Sequence, residues 1–446
     1  MQNSQQLFKA TEDFLYALRN AGSKYSLDRM RKMCALFDDC QNAYPILHVA
    51  GTNGKGSVCA MLEAIIRERG NKTGMFTSPH LVYLGERVQV DRTQIERDEI
   101  ISTVAEIRAK IAPFFNELDT PSYPSFFEYM TMLAFMKFAR EKVDCAVVEV
   151  GLGGRLDSTN VVCPQISIIT SIGLDHTQIL GDTIAKIARE KAGIIKEGTS
   201  VVCGFLPPEA MAVMEEVAKV KHATLYKVQD YFKDDSQLPK TSLYGYYQRR
   251  NAAVATLAIR VLRQQAIAGV SSAIFKNITD NCIENALNHV QWAARWQSFE
   301  LSNGARLILD SSHNEEGART LDSNLQQLCQ KLEKDGLPKP VISVGVLGRE
   351  RAVPLFKVIE KYARKIILLV PNQPRALDFK ALRDCVGECK IEIEQMNVGD
   401  LYKGDFSCSA VSGGDTIVCT GSIYLAGEVL AALGKKVADG LQDLPY

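Results

Sequence analysis

The stretch that decides the fold reads Ile46-Leu47-His48-Val49-Ala50-Gly51-Thr52-Asn53-Gly54-Lys55-Gly56-Ser57. Its first five residues are mostly apolar and predict a buried strand. The glycines that follow let the backbone curl so that successive N–H groups point at one anion, and a helix predicted over 58–69 adds its positive N-terminal end. Lys55 supplies a point charge, and Ser57 lies near the position from which a hydroxyl reaches a phosphate-bound Mg²⁺. The stretch therefore predicts a strand, a phosphate-binding loop and a helix.

The loop departs from the general pattern GxxxxGK[ST] at two positions. That pattern places glycine where Val49 stands, and serine or threonine where Gly56 stands. A glycine-rich turn without a ligand is the alternative interpretation. Because strand, loop and helix all agree with the physical requirement of the motif, phosphate binding is favoured.

Outside this stretch, short apolar runs alternate with segments of helical periodicity. In the first part of the chain, strands are predicted over 73–77, 145–150 and 166–170, and helices over 126–140 and 183–195. The pattern restarts after Trp296, with strands predicted over 306–310, 341–346, 366–370 and 416–419, and helices over 316–332 and 423–433. Such alternation predicts parallel sheets covered by helices on both faces. We expect an α/β protein with a P-loop parallel-sheet ATPase domain over 1–296, followed by a smaller Rossmann-like α/β domain over 297–446.

Composition excludes several classes of protein. In 446 residues, 52 basic side chains balance 52 acidic ones, whereas a nucleic-acid-binding protein is expected to be basic. No apolar run approaches the ~20 residues needed to span a bilayer, and the polar start lacks the core of a signal peptide. The 12 cysteines are scattered singly, which is typical of small buried hydrophobes in a reducing compartment. We expect a cytoplasmic protein with neither nucleic-acid nor membrane partners.

Seven segments in order resemble the motifs of one family. They are the loop at 51–57, Thr77–Leu81, Ser125–Glu128, Glu149–Asp157, Gly173–His176, Glu190–Ile194 and Gly421–Leu425. Together they are similar to the Mur ligase superfamily, and specifically to folylpolyglutamate synthase/dihydrofolate synthase. The resemblance runs from about Leu27 to Glu428, nearly the whole chain.

The resemblance implies an ATP-dependent, amide-forming ligase of folate and one-carbon metabolism. A dihydropteroate or folate carboxylate takes the γ-phosphoryl group of ATP, and the amine of L-glutamate attacks the acyl phosphate. ADP and phosphate leave. Because an anionic carboxylate must approach an anionic phosphate, Mg²⁺ and cationic side chains have to offset the repulsion. The implied partners are these small molecules alone, and we expect a monomer.

The resemblance also assigns individual residues. ATP would be bound by Gly51, Thr52, Asn53, Gly54, Lys55, Gly56 and Ser57, with Asn251, Arg295 and Asp310. The metal ligands would be Ser78, Glu149, His176 and a carbamylated Lys191. Lys55, Lys191 and His313 would act in catalysis. Substrate would be bound by Leu27, Asp28, Arg29, Met30, Ser125, Phe126 and Ser422.

The residues themselves support these assignments unequally. Glu149 lies at the end of an apolar strand, a position typical of a metal-binding carboxylate. The alternative interpretation is a side chain exposed to solvent at the strand end. Lys191 suits carbamylation if burial lowers its pKa, and otherwise is a helix-surface lysine. His176 rests on the family match, because Mg²⁺ prefers oxygen ligands.

The later motifs match less closely. Arg295 follows Trp292-Ala293-Ala294 where the family usually has Trp-Pro-Gly, and an Asp-Lys-Asp-like loop is replaced by Leu347-Gly348-Arg349-Glu350-Arg351. His313 would meet the incoming glutamate or be an ordinary hydrogen-bonded loop residue. Ser422, opening the last helix, would receive a carboxylate at that helix N-terminus. Closure of the two domains is expected to bring His313 to the phosphate loop.

The pterin segment leaves two interpretations open. Leu27–Met30 and Ser125-Phe126 resemble the dihydropteroate-binding segments of the bifunctional bacterial enzymes, and Phe126 would stack on a pterin ring. Core packing of the aromatic run is equally compatible with its helical spacing.

Three rival functions are less well supported. A GTP switch needs an Asn-Lys-x-Asp motif after a strand, but Asn71-Lys72 precedes its strand. A peptidoglycan-type Mur ligase usually carries a UDP-binding domain before the loop, for which 50 residues are too few. A non-catalytic ATP-binding module would not need Glu149, His176, Lys191 and His313 together.

Overall fold

The chain divides into two compact units. The computed structural model describes residues 2–18, 26–119, 121–387 and 390–434. The first unit comprises Met1–His80, Leu84–Ser242 and Gln248–Val290, and the second comprises Leu81–Tyr83, Leu243–Tyr247 and Gln291–Tyr446. In this division the last segment of the second unit begins at Gln291, and Trp296 lies in the buried core of that unit. Residues 435–446 of the predicted second domain lie outside the described part.

The first unit carries one large sheet. Its strands are β1 Ile46–Ala50, β2 Thr73–Phe76, β3 Val88–Val90, β4 Thr93–Gln94, β5 Cys145–Glu149, β6 Ile166–Ile169, β7 Ser200–Cys203 and β8 Thr224–Lys227. They lie in the order β4-β3-β2-β5-β1-β6-β7-β8. Pairing is parallel from β2 to β8 and antiparallel at β2–β3 and β3–β4. The predicted parallel sheet is confirmed for the centre, with an antiparallel edge that the sequence did not indicate.

Helices surround this sheet. They are α1 Gln2–Ala17, α2 Asp28–Leu36, α3 Lys55–Arg67, α4 Arg97–Ile111, α5 Phe126–Glu141, α6 Thr177–Leu180, α7 Ile184–Ala192, α8 Pro208–Val220, α9 Val228–Tyr231, α10 Tyr246–Ile267 and α11 Asp280–His289. Short 3-10 turns lie at Cys40–Asn42, Leu84–Arg87, Ser158–Val161, Asp235–Gln237 and Ala273–Phe275. The helix α10 begins in the segment assigned to the second unit and continues into the first.

The second unit repeats the α/β arrangement on a smaller scale. Its strands are β9 Arg295–Glu300, β10 Arg306–Asp310, β11 Val341–Val344, β12 Lys365–Leu368, β13 Glu392–Gln395, β14 Tyr402–Lys403, β15 Ser407–Cys408 and β16 Thr416–Thr420. The main sheet has the order β13-β12-β11-β16-β10-β9, in which only the β9–β10 pair is antiparallel. Its helices are α12 Glu315–Lys334, α13 Arg349–Tyr362, α14 Phe379–Val386, α15 Val398–Leu401 and α16 Ile423–Ala432. The predicted two-domain α/β class is confirmed.

One helix begins earlier than the sequence predicted. The structure starts α3 at Lys55 instead of Val58, because Gly54 adopts a φ of 83° and serves as the N-cap. Lys55 and Ser57 therefore lie in the first helical turn, which gives both side chains a defined direction above the end of β1.

The cores are apolar, as the patterning predicted. Every residue of β1, β5 and β6 is buried. Cys59, Cys145 and Cys419 are free and buried, which confirms that these three behave as small hydrophobes. Among the described residues, no helix combines the length and apolarity needed to cross a membrane.

Candidate active site

Two glycines of the phosphate loop occupy positions that no other residue fits. A Cβ at Gly51 would lie 1.9 Å from Thr170 Oγ1. A Cβ at Gly54 would lie 2.5 Å from Asn251 Oδ1, at a φ of 83°. Because both glycines also have a positive φ, 157° at Gly51 and 83° at Gly54, a side chain at either place would be strained even if Thr170 and Asn251 moved aside. The result is a backbone turn at the carboxyl end of β1, which is where open parallel sheets bind ligands.

The loop is tied to the end of the neighbouring strand β6. The Thr52 amide donates to the Ser171 carbonyl oxygen over 2.9 Å, and the Asn53 amide donates to Ser171 Oγ over 3.0 Å. The Thr170 hydroxyl donates to the Asn53 carbonyl oxygen over 2.6 Å, while the Gly173 amide donates to Thr52 Oγ1 over 3.0 Å. These bonds hold the loop in shape before any ligand arrives.

Two lysines meet at one carbonyl of the loop. Lys55 Nζ donates to the Gly51 carbonyl oxygen over 3.1 Å and to that of Thr52 over 3.2 Å. Lys191 Nζ, from the last turn of α7, donates to the same Gly51 oxygen over 2.9 Å. Lys55 and the protonated fraction of Lys191 therefore place positive charge at one backbone oxygen of the loop, which suits a polyanion.

Lys191 is buried, so the alternative of a helix-surface lysine is wrong. Its side chain lies in the interior at 5% exposure. Burial first, and then the charge of Lys55, lower its pKa to about 7, with Asp175 and Asp157 acting in the opposite direction. A substantial fraction of Lys191 is therefore neutral and nucleophilic near neutral pH.

Glu149 is also buried, at 4% exposure, which rules out the solvated strand end. It is the last residue of β5 and pairs in register with Val49, two positions before Gly51. Its Oε2 accepts a hydrogen bond from the Ser78 amide over 2.9 Å. The structure thus brings Ser78 and Glu149 together, as the resemblance implied, beside the strand that leads into the loop.

His176 is more exposed to solvent than Lys191 and Glu149. It is exposed and begins the short helix α6 with a φ of 50°, three residues after Gly173, which bonds to the loop. Its Nε2 lies 3.9 Å from Asp175 Oδ1. Asp175 is the half-buried residue whose charge acts on Lys191. Sequence reasoning gave no role to Asp175, although it stands inside the quoted Gly173–His176 motif.

Asn251 is linked to the phosphate loop by hydrogen bonds through Gln248, a residue that the sequence did not single out. Gln248, buried in α10, donates from Nε2 to Ser57 Oγ over 3.2 Å. Asn251 Nδ2 donates to Gln248 Oε1 over 3.0 Å. This chain of contacts orients the Ser57 hydroxyl and places Asn251 beside Gly54. Nothing in the neighbouring sequence, including the Arg249-Arg250 pair, indicated that Gln248 would contact the loop.

Asp157 is a further buried carboxylate that sequence reasoning quoted without giving it a role. Burial raises its pKa. Its oxygens accept bonds from the Leu152 amide over 2.8 Å and from the Thr159 hydroxyl over 2.5 Å. His48 Nε2 lies 2.8 Å from the same hydroxyl, and burial lowers the pKa of His48 to about 3. A neutral histidine therefore supports the carboxylate that shapes the glycine-rich loop after Glu149.

The two predicted pterin segments do meet. Arg29, on α2, donates from Nε to Glu128 Oε1 over 3.1 Å. Glu128 in turn accepts from the Ser125 amide over 2.7 Å, closing the N-cap of α5. The Phe126 ring is buried, stacks on Tyr16 at 5.7 Å and lies 5.1 Å from the Arg87 guanidinium.

The remaining members of this segment lie close by in the chain. Leu27 and Met30 are buried, and Asp28 is exposed and pairs with Arg31. These packing contacts support the core interpretation for Phe126, and a direct role of the segment in substrate binding stays a prediction.

In the second unit, the predicted residues gather near the carboxyl ends of β10 and β16. Arg295 stands opposite Asp310 across the antiparallel pair, at a β-bulge. Asp310 is buried, and its Oδ2 accepts from the Ser312 amide over 2.8 Å. His313 Nδ1 donates to the Ser311 carbonyl oxygen over 2.8 Å, so the neutral ring keeps Nε2 as its acceptor.

Ser422 caps α16, the helix that follows β16. Its Oγ accepts from the Tyr424 amide over 3.1 Å, and the residue is buried at 3% exposure. The rearranged loop after β11 forms the start of α13, where Gly348 has a φ of 101° and a Cβ would lie 2.5 Å from the Glu350 carboxylate.

The donor set fits a magnesium ion that shares its ligands with phosphates. In the described part of the chain, no three His, Cys, Asp or Glu side chains converge as a complete metal site. Mg²⁺ is commonly held by one or two carboxylates together with substrate phosphates. Glu149, with Ser78 beside it and the phosphate loop next along the sheet edge, supplies this arrangement.

The comparisons with known proteins agree with this geometry. Residues 49–234 match the Mur ligase middle domain. The chain is 32% identical over 448 residues to the dihydrofolate synthase/folylpolyglutamate synthase of Bacillus subtilis, covering 95% of this chain and 99% of that protein.

Two solved structures are similar over nearly the whole chain. The Mycobacterium tuberculosis folylpolyglutamate synthase complexed with ADP and AMPPCP superposes with a TM-score of 0.80 at 26% identity, covering 97% of this chain and 99% of that one. The Yersinia pestis bifunctional enzyme with Mn, AMPPNP and L-glutamate bound gives 0.73 at 25% identity, covering 95% and 98%.

The fold and the site define an ATP-dependent ligase of the Mur ligase type. The phosphate loop, the buried carboxylate and the buried lysine all belong to the first unit, and a second α/β unit follows. The chain belongs to the folylpolyglutamate synthase/dihydrofolate synthase family.

Proposed function

We propose that this protein joins L-glutamate to the carboxylate of a folate or of dihydropteroate, with cleavage of ATP to ADP and phosphate. The observation that carries the proposal is the meeting of Lys55 and Lys191 at the Gly51 carbonyl, next to the strand that pairs with Glu149. This places the positive charge of Lys55 and a buried carboxylate at the carboxyl ends of neighbouring strands. An acyl-phosphate route needs both, because its two reacting groups are anions.

The phosphate loop binds the nucleotide in this proposal. Its amides and the N-terminus of α3 face the phosphate oxygens, and Lys55 moves from the Gly51 carbonyl to the transferred phosphoryl group. Glu149, Ser78 and His176 would hold the metal. When bound, Mg²⁺ supplies positive charge between the phosphates and the incoming carboxylate.

Lys191 is proposed to react with CO₂ through its neutral amine. The nitrogen lone pair of the neutral amine forms a bond to the carbon of CO₂, one C=O π electron pair moves to oxygen and one proton leaves the nitrogen, so that a neutral amine becomes an anionic carbamate. The lowered pKa of Lys191 supports this step, because only the neutral amine is nucleophilic. The carbamate would supply an oxygen donor to the metal.

The second unit is proposed to complete the site. Asn251 of the first unit, together with Arg295 and Asp310, would contact ATP. His313 Nε2 accepts a hydrogen bond from the glutamate amine, and the α16 N-terminus at Ser422 receives a glutamate carboxylate. The proposal requires both sets of residues to meet around one ATP during turnover.

The substrate preference, between dihydropteroate and a reduced folate, is the finer part of the proposal. The contact of Arg29 with Glu128 at the start of α5 supports a site for the pteroyl group at these segments. The monomeric state and the cytoplasmic location remain predictions.

An assay of the purified chain tests the function. The protein is incubated with ATP, Mg²⁺ and radiolabelled L-glutamate, and with either dihydropteroate or tetrahydrofolate as acceptor. We expect acceptor-dependent incorporation of label and equimolar release of phosphate. Incorporation into neither acceptor, but into a UDP-linked muramoyl substrate, would replace this function with that of a peptidoglycan ligase.

A further inference from the structure

A short segment from the first third of the sequence packs into the core of the second unit. Leu81–Tyr83, called the strap below, is assigned to that unit, whereas the residues on both sides of it belong to the first. Leu81 and Val82 pack against an apolar cluster that includes Leu425 and Val429 of α16. The strap is therefore anchored on the last described helix of the chain.

The closest approach between strap and helix occurs at Gly427. A Cβ at this position would lie 2.0 Å from the Leu81 carbonyl oxygen and 2.7 Å from its carbonyl carbon. Both atoms are backbone, so no rotamer change relieves the clash. Glycine is a poor helix former, and its place inside α16 is explained by this contact, because only a residue without a side chain lets the strap lie directly on the helix.

The strap and α16 each follow closely after a residue with a proposed function. Ser78 precedes the strap by three residues, and its amide donates to Glu149. Ser422 begins α16, five residues before Gly427. Since only Pro79 and His80 separate Ser78 from the strap, the position of the strap on α16 restricts where Ser78 lies.

We propose that Gly427 is a positioning residue for the metal site. By seating the Leu81 carbonyl on α16, it holds the strap and so keeps the Ser78 amide and hydroxyl aligned with Glu149. This inference rests on the proposed function for the role of Ser78 and Glu149 toward Mg²⁺, but the seating of the strap is independent of that role.

The test compares Gly427→Ala with Gly399→Ala in the full-length protein. Gly399 lies in α15 of the same unit, and a Cβ there meets nothing within 4 Å, so it controls for the change of residue type. Hydrogen exchange without ligands should show faster exchange over residues 78–84 in Gly427→Ala alone. The Mg²⁺ concentration for half-maximal ligation should rise by about tenfold or more in Gly427→Ala, while Gly399→Ala keeps the wild-type value.

A second variant protects the test against misfolding. Leu81→Ala removes the apolar anchor without a backbone clash, and should produce the same two changes to a smaller degree. A folded Gly427→Ala protein with wild-type exchange over 78–84 overturns the seating of the strap. Faster exchange with an unchanged Mg²⁺ requirement overturns the positioning role. If the wild type ligates glutamate to no acceptor, the proposed function fails, while the exchange result still decides whether Gly427 seats the strap.

Discussion

The functional side chains are held differently in two regions of the molecule. One is the phosphate loop of the first unit, and the other, called the β10–β16 edge, lies at the carboxyl ends of β10 and β16 in the second unit. Around the phosphate loop, residues distant in sequence bond to one another: Lys191 to Gly51, Gln248 to Ser57, and Ser78 to Glu149. At the carboxyl ends of β10 and β16, His313 bonds to Ser311 and Ser422 to Tyr424, each two positions away, while Asp310 accepts a longer bond from Thr420 over 3.4 Å.

The two regions meet two different chemical requirements, phosphoryl transfer and amino-acid binding. Transfer of a phosphoryl group needs charges aligned before the reaction, because reorganisation during the step costs rate. Capture of an amino acid needs only local recognition. We therefore expect substitutions near the phosphate loop to lower kcat, and substitutions at the β10–β16 edge to act mainly on KM.

The largest effect is expected for Lys55→Ala. Loss of the mobile positive charge in the loop should lower kcat by about 10³-fold, while thermal unfolding stays near that of the wild type. Lys186→Ala, at an exposed lysine on α7, is the matched control and should retain full activity. Near-normal ligation by Lys55→Ala would show that the loop is not the phosphate site.

Glu149→Gln should lower kcat by about 10²-fold at fixed Mg²⁺ and raise the Mg²⁺ requirement. The amide oxygen can still accept from the Ser78 amide, so the fold is preserved while the charge is lost. Steady-state rates across a Mg²⁺ titration measure this, with Glu106→Gln on the surface of α4 as control. An unchanged titration would remove Glu149 from the metal site.

His313→Ala should raise the KM for glutamate by about 10–100-fold, the value of a hydrogen bond to a charged group, with a smaller change in kcat. Initial rates at varied glutamate, with ATP and acceptor saturating, measure the split. If kcat falls instead and KM is constant, the second region is as preorganised for the chemical step as the first, and the contrast between them disappears.

Phe126→Leu decides between pterin stacking and core packing. Because the ring is buried against Tyr16, we expect a loss of about 1–2 kcal/mol in the free energy of unfolding and an unaltered KM for the acceptor. Urea unfolding and acceptor titration measure both. A raised KM at unchanged stability would restore the stacking interpretation.

The last prediction concerns the pH dependence of stability, which involves no change in catalysis. The pKa of Lys191 is lowered to about 7 in the folded protein, from 10.5, so between these values the unfolded chain binds a proton that the native state does not. Stability then rises with pH over that window, by at most about 1.4 kcal/mol per unit. Lys191→Met should lack this contribution, and urea unfolding at pH 6.5 and 9.5 should show a smaller rise than in the wild type. Equal rises would contradict the lowered pKa.

Much of the fold could be predicted because its strong signals are local. The strand 46–50, the glycine turn and the alternation of apolar runs each depend on neighbouring residues only. The antiparallel edge was missed because β3 and β4 have only three and two residues, too short for a periodicity to develop. The start of α3 was missed because Gly54 as an N-cap depends on a positive φ that the sequence does not display.

The site was predictable to the extent that a motif is contiguous. Gln248 and Ser57 are 191 positions apart, and no local pattern links them. The burial of Lys191 was hidden as well, since the charged Arg189-Glu190-Lys191 run does not show which side chain turns inward. Resemblance to a family supplied residue roles that spacing alone did not.

The shared Gly51 oxygen has a consequence for the order of events. Both lysine nitrogens donate to it, and burial, followed by the charge of Lys55, lowers the pKa of Lys191 to about 7. An arriving nucleotide draws Lys55 away and adds negative charge, so Lys191 takes up a proton more readily. Uptake of CO₂ is therefore favoured before the nucleotide binds, and preincubation with bicarbonate before ATP should shorten any lag in turnover.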